Sequence, residues 1–132
     1  NFTLAKGKQG QNAFFESDLL ITDWSGSAFS FAFSRERPVL FIDVPRKVLN
    51  LEYERFSHPP LETIIRDKIG IVLKPEKIGD APKLIEALCN NIDKWAEKIR
   101  AQRKHWVYNL GNSANPGAAY LSELATKKSR CN

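Results

Sequence analysis

At 132 residues, with 42% hydrophobic and 27% charged residues, the chain has the length and composition of one folded domain with a single core, not of a disordered segment. Its net charge of +5 favours acidic partners such as phosphates, nucleotides or anionic lipid; because acids interrupt the basic residues along most of the chain, no nucleic-acid-binding face is expected. No apolar run approaches the ~20 residues that cross a bilayer, and Asn1 to Lys6 lack the basic-then-apolar order of a signal peptide.

Residues 5–12 (AKGKQGQN) are polar and rich in Gly and Gln, and read as a loop. Asp18 to Thr22 is a short apolar run, expected as a strand buried on both faces. Ser25, Gly26 and Ser27 are helix-entry residues. Ala28, Phe29, Ala32 and Phe33 then share one face of a helix. After a polar exit through Ser34–Arg37, Pro38 introduces Val39–Ile42, a second buried strand closed by Asp43-Val44-Pro45. This is strand–helix–strand with a short crossover, which implies parallel, right-handed pairing.

Residues 46–68 begin as a basic loop and carry a helical turn or two around Leu61–Asp67. Gly70–Leu73 is a third strand. Asp80 is placed to cap a helix running through Leu84, Ile85, Ala87 and Leu88, with Pro82 in its first turn. The next helix has an apolar stripe of Ile92, Trp95, Ala96, Ile99 and Trp106. Its other face carries Lys94, Lys98, Arg100, Arg103 and Lys104. A break at Gly111–Ser113 and Asn115-Pro116 precedes a last helix from Gly117 to about Lys127. Cys89, in an apolar helical run, is expected to be a small buried hydrophobe, and Cys131 to lie in a frayed end. The two match no metal-ligand spacing and suggest no disulfide framework.

The order of elements indicates an α/β domain with a small parallel sheet and flanking helices. Three strands are few for a self-sufficient doubly wound sheet. The chain also contains no Met, so residues 1–132 read as a single domain cut from a longer protein that supplies the rest.

The turn Thr22-Asp23-Trp24-Ser25-Gly26-Ser27 lies at the carboxyl end of a strand and at a helix N-terminus. Ligands of open α/β sheets bind beyond such strand ends, and helix-entry amides favour anions. Gly26 lets a ligand approach the backbone, and Ser25 and Ser27 add hydroxyl donors. On spacing alone, helix capping is the first reading of this turn and an anion site the second.

The stretch SDLLITDWSGSAFSFAFSRERPVLFIDVPRKVLNLEYE resembles the CDP-glycerol glycerophosphotransferase family, the teichoic-acid polymerases and their relatives. That family carries a Thr-Asp-Tyr-Ser-Ser-type turn, an aromatic-rich helix and a Pro-Val-hydrophobic strand. Its polysaccharide-synthesis members carry an Asp-Trp-Ser-Gly form followed by Pro-Arg-Lys. VYNLGNSANPGAAYL is similar to the family's closing Asn-x-Gly-x-Ser segment and terminal helix. The resemblance covers Phe15–Tyr53 well and residues 106–121 loosely.

It implies the C-terminal, Rossmann-like half of a GT-B fold, which binds the donor nucleotide. It implies a transferase moving glycerol phosphate, or another polyol phosphate, from a CDP donor to a cell-wall or capsular polysaccharide acceptor. Ser25, Gly26 and Ser27 would bind the donor diphosphate, with Thr22 and Asp23 shaping the turn. Ser30 stands where the family usually places an acid near the donor ribose, which leaves a nucleotide-sugar donor open. No cofactor beyond the substrate nucleotide is expected, and no metal, since no carboxylate or His cluster has ligand spacing.

The family's important histidines fall in segments upstream of this chain. His58, in a loop beside two prolines, and His105, in the basic helix, read as solvated, so no catalytic base is assigned. Arg46 and Lys47 follow the second strand and are candidates for the donor phosphates or an anionic acceptor, with a solvated loop equally open. Asn50 and Tyr53 are weaker candidates for the same cleft. Asn112 and Ser113 read as helix caps ahead of donor contacts.

Expected partners are the nucleotide-activated donor and the N-terminal half of the same enzyme, and the resemblance implies a cytoplasmic location. The basic face of the Trp95/Trp106 helix reads first as solvated, with contact to an anionic membrane surface at the inner face of the membrane as the alternative. A non-catalytic α/β interaction domain of response-regulator type is the remaining alternative. It needs an acidic cluster at the strand ends, where only Asp23 and Asp43 are available.

Overall fold

Three short parallel strands lie side by side in sequence order. They are β1 (Leu20–Thr22), β2 (Val39–Ile42) and β3 (Gly70–Leu73), with β2 in the centre. The computed structural model describes residues 3–4, 8–46 and 52–129. Helices flank the strands, as expected of an α/β domain with a small parallel sheet. In chain order the helices are α1 (Lys8–Glu16), α2 (Ser27–Arg35), α3 (Leu61–Ile64), α4 (Arg66–Ile69), α5 (Ala81–Cys89), α6 (Ile92–Trp106) and, in the part of the chain after the sheet domain, α7 (Ala114–Ser129). The chain divides into two compact units, Asn1–Gln102 and Arg103–Asn132.

The register sets Ile21 opposite Leu40 and Leu40 opposite Ile71, so one face carries these with Ile42 and Leu73. On it Leu40 and Leu73 pack with Leu88 of α5, and with Leu84, Ile85 and Trp95 around them. The opposite face carries Val39 and Phe41, both buried. Arg66 of α4 lies over the Phe41 ring, 5.0 Å from its centroid. Successive right-handed crossovers in one direction place α2 and α4 on the same face. They bring buried Ala28, Phe31 and Ala32, and buried Ile69, with Ile65 just ahead of α4.

Gly70 is set by contact, not by backbone angle. A Cβ there would lie 1.8 Å from the Val39 carbonyl oxygen, so only glycine allows β3 to pair with β2 at this register.

Several sequence expectations change. Residues 8–12, read as loop, belong to α1. Phe14 anchors that helix edge-on against Phe31, with centroids 5.3 Å apart, and this tertiary contact overrides the weak propensity of Gly10 and Asn12. β1 covers only Leu20–Thr22 and is an edge strand among the described residues; Ile21 is 51% exposed, so the strand is not buried on both faces. In α2 the deepest aromatic is Phe31, while Phe29 and Phe33 stack on each other, half-buried, at 6.4 Å. Cys89 is exposed, because the 100° step from buried Leu88 turns it outward. Asp80 precedes α5 but makes no side-chain cap hydrogen bond; its own backbone is already helical, at the end of two short 3₁₀ turns that Pro75–Asp80 forms around a kink at Lys77.

In α6, Ala96 and Ile99 are buried as the stripe requires. Its basic face is partly engaged: Arg100 Nη1 lies 2.7 Å from Glu36 Oε2, and Lys98 Nζ lies 4.5 Å from the Trp95 ring centroid. In the second unit, positive φ at Asn109 and Gly111 turns the chain into α7. That helix starts at Ala114, earlier than Gly117, because Pro116 falls in the first turn, where its missing N–H has no intrahelical acceptor to lose. Cys131 lies outside the described residues.

Candidate functional site

The edge strand β1 delivers the turn. Thr22 is half-buried, and Asp23, Ser25, Gly26 and Ser27 are exposed. The Ser25 and Ser27 hydroxyls lie 2.9 Å apart, and Ser25 Oγ accepts the Ser27 backbone N–H at 3.3 Å. The next two amides also bond locally and at length: Ala28 N–H to Ser25 O and Phe29 N–H to Gly26 O, both at 3.2 Å. Helix capping is therefore physically present. An anion here meets the two hydroxyls and competes for amides held by long bonds, which three-centre bonding at helix ends permits.

Gly26 has helical angles, φ −61° and ψ −15°, and a Cβ built on it meets nothing within 4 Å. No internal contact demands glycine, and the space above it is open. Ser30, one turn further, is exposed, and its carbonyl accepts the Ser34 hydroxyl at 2.5 Å.

Trp24 points the other way. Its indole N–H donates to the Val44 carbonyl at 2.8 Å, tying the turn to the segment after β2. It lines a groove of about 190 Å³ with Arg46, Pro60, Glu62 and Thr63. Arg46, Pro60 and Thr63 are also walls of an adjoining groove of about 370 Å³, bounded further by Tyr53, Phe56 and His58. The Arg46 guanidinium sits 5.0 Å from the Tyr53 ring centroid. Both grooves lie beyond the end of β2, where an open α/β sheet places ligands.

The structure thus separates the sequence candidates into two groups. Arg46 and Tyr53 meet in one cleft, and Trp24 joins them through the smaller groove. Thr22, Asp23, Ser25, Gly26, Ser27 and Ser30 line neither groove, and the serines flank Trp24 on its helix side. Lys47 and Asn50 lie outside the described residues. His58 is exposed, with Nδ1 3.1 Å from Ser57 Oγ, and forms part of the larger groove's wall. His105 packs edge-on against Trp106 at 4.7 Å, and Asn112 accepts a hydrogen bond from Asn115 at 3.2 Å ahead of α7.

Sequence reading missed Arg66. It is 7% exposed, its Nη1 donates to Asp43 Oδ1 at 2.8 Å, and its guanidinium carbon lies 3.8 Å from the Trp24 ring centroid. Asp43, read as a strand terminator, is its counter-ion. Arginine between Ile65 and Asp67 carries no local signal of this role; only the fold brings residues 24, 43 and 66 together.

Among the described residues no group of three His, Cys, Asp or Glu side chains could hold a metal ion, and no helix is long and apolar enough to cross a membrane. Compared with known proteins, the chain matches no family model, no curated protein and no solved structure.

Proposed function

We propose that this chain is a donor-binding domain of a transferase that resembles the CDP-glycerol glycerophosphotransferases and moves a polyol phosphate from a CDP donor to a polysaccharide acceptor. The observation that carries the reading is the Ser25-Gly26-Ser27 turn. It combines two adjacent exposed hydroxyls with an open approach over Gly26, at a strand end and a helix start. The neighbouring cleft with Arg46 supplies a cation within the same strand-end region. In this reading the diphosphate lies along the turn and the nucleoside extends into the cleft, whose larger part suits a ligand of that size.

The domain's contribution is to orient the donor and to stabilise the charge that builds on the leaving nucleotide as the pyrophosphate bond breaks. The base and the acceptor site then belong to an N-terminal half, and the exposed lysines of α6 are available to an anionic membrane surface at the cytoplasmic face. Ser30, an exposed hydroxyl in place of an acid, keeps a nucleotide-sugar donor as the second reading.

The test is calorimetric titration with CDP-glycerol, a UDP-sugar and inorganic pyrophosphate. Ser25→Ala/Ser27→Ala is expected to weaken CDP-glycerol binding by about a hundredfold, two lost hydrogen bonds to a charged group, with only the small fall in melting temperature that loss of the Ser25 cap brings. Unchanged affinity sinks the phosphate site, and tighter UDP-sugar binding selects the second reading.

A further inference from the structure

Arg66 is an expensive residue to keep. Its guanidinium is almost dry and has one carboxylate partner, Asp43. Nε and Nη2 find no hydrogen-bond partner among the described residues. Burying a charge so incompletely paired is unfavourable, and an apolar side chain of similar volume is often as stable or more so in such a place. Its stacking on the indole returns only part of that cost through the ring's quadrupole.

What the arginine gains is a fixed indole. The Trp24 ring is held on its face by the guanidinium and at its edge by the Val44 carbonyl. One peptide after Trp24 comes Ser25, and two residues after Val44 comes Arg46. The same guanidinium grips Asp43, next to Val44. Three separate elements, the β1–α2 turn, the end of β2 and α4, are therefore locked at one point. That lock sets where the serine hydroxyls stand relative to Arg46.

We propose that Arg66 is the positioning residue of the anion site, clamping Trp24 so that the Ser25 and Ser27 hydroxyls are held ready for a diphosphate in a fixed relation to the cleft that Arg46 lines. The proposal rests on the phosphate-binding reading of the turn. Arg66 lines neither groove; it acts through Trp24.

The experiment uses the full chain with Trp95→Phe and Trp106→Phe, so that Trp24 is the only indole. Arg66→Lys keeps the charge but loses the planar face, and Arg66→Met keeps much of the volume without the charge. CDP affinity is measured by calorimetry well below the melting temperature, and Trp24 emission is followed in the same titration. In both variants CDP binding is expected to weaken by about tenfold or more, the effect of a site displaced by a fraction of an ångström. CDP is expected to change Trp24 emission with Arg66 present and to leave it unchanged in Arg66→Lys. Ser25→Ala is expected to weaken binding far less in the Arg66→Met background than alone, because the two act as a unit.

The proposal is overturned if the variants melt earlier yet bind CDP with unchanged affinity, or if the Ser25 and Arg66 effects simply add. If the parent chain binds neither CDP nor pyrophosphate, the phosphate-site reading itself falls, and the inference with it. Trp24→Phe, which removes the Val44 bond but keeps an aromatic face, repeats the test should both Arg66 variants fail to fold.

Discussion

The ends of β1 and β3 present two surfaces that invite the same reading and are built differently. Beyond β3, a groove of about 430 Å³ is lined by Lys74, Lys77 and Lys83 with Asp80 and Val72. By charge it is the better anion site. Yet each of its polar side chains is exposed, and Lys74 and Pro75 follow directly on β3, an edge strand among the described residues, where a charge and a proline discourage pairing with other chains. Beyond β1 the turn carries no cation. Its neighbour Trp24 is anchored on a buried guanidinium and a backbone carbonyl. The contrast separates charge, which any solvated surface carries, from fixed geometry, which has a cost in stability.

The most severe way to break the comparison is to remove what both surfaces share. Gly70→Ala forces a Cβ into the Val39 carbonyl and is expected to cost more than about 3 kcal/mol, abolishing cooperative thermal unfolding and both surfaces together. Next in size is Asp43→Ala, which strands the Arg66 charge. Since the Asp43 side chain is 36% exposed, the expected loss is about 2 kcal/mol, read by urea denaturation, below the range for a fully buried pair. It should weaken phosphate binding at the β1 end and leave the β3 groove's surroundings unchanged.

Gly26→Ala sharpens the contrast by splitting fold from site. The angles at Gly26 are already helical, so alanine is expected to raise stability by about 0.5 kcal/mol while weakening CDP binding by crowding the approach. A variant that gains stability and keeps its affinity would remove the case for close approach. The smallest expected effect is at the other surface. Lys74→Ser/Lys77→Ser/Lys83→Ser should change CDP affinity by less than about twofold at physiological ionic strength, where exposed charges are screened. A larger loss by calorimetry would move the anion site to β3.

What could be read from the sequence follows from the range of the forces involved. The strands at Val39–Ile42 and Gly70–Leu73 and the stripe of α6 were legible because hydrophobic period and Pro or Gly boundaries are local signals. α1 was not, because its order comes from Phe14 meeting Phe31. Nor was the exposure of Ile21, which depends on β1 lying at an edge. At the site, hydroxyls in a strand-end turn are visible in one dimension, whereas the Trp24–Asp43–Arg66 contact joins segments with no common motif. The split between the serines and the Arg46 cleft has the same origin: Trp24 lies between them, and its direction is set by Val44.

The strand order has a consequence for time scales. Among the described residues β1 has a strand partner on one side only, so there it can detach while β2 and β3 stay paired. β2 can leave only by breaking both pairings. Amides of residues 20–22 therefore exchange through a local opening, and those of 39–42 only through disruption of the whole sheet. The turn rides on the strand that opens first, and the indole bond to Val44 ties that opening to the end of β2. If the proposed site holds an anion, the lifetime of that complex is bounded by how often this edge frays.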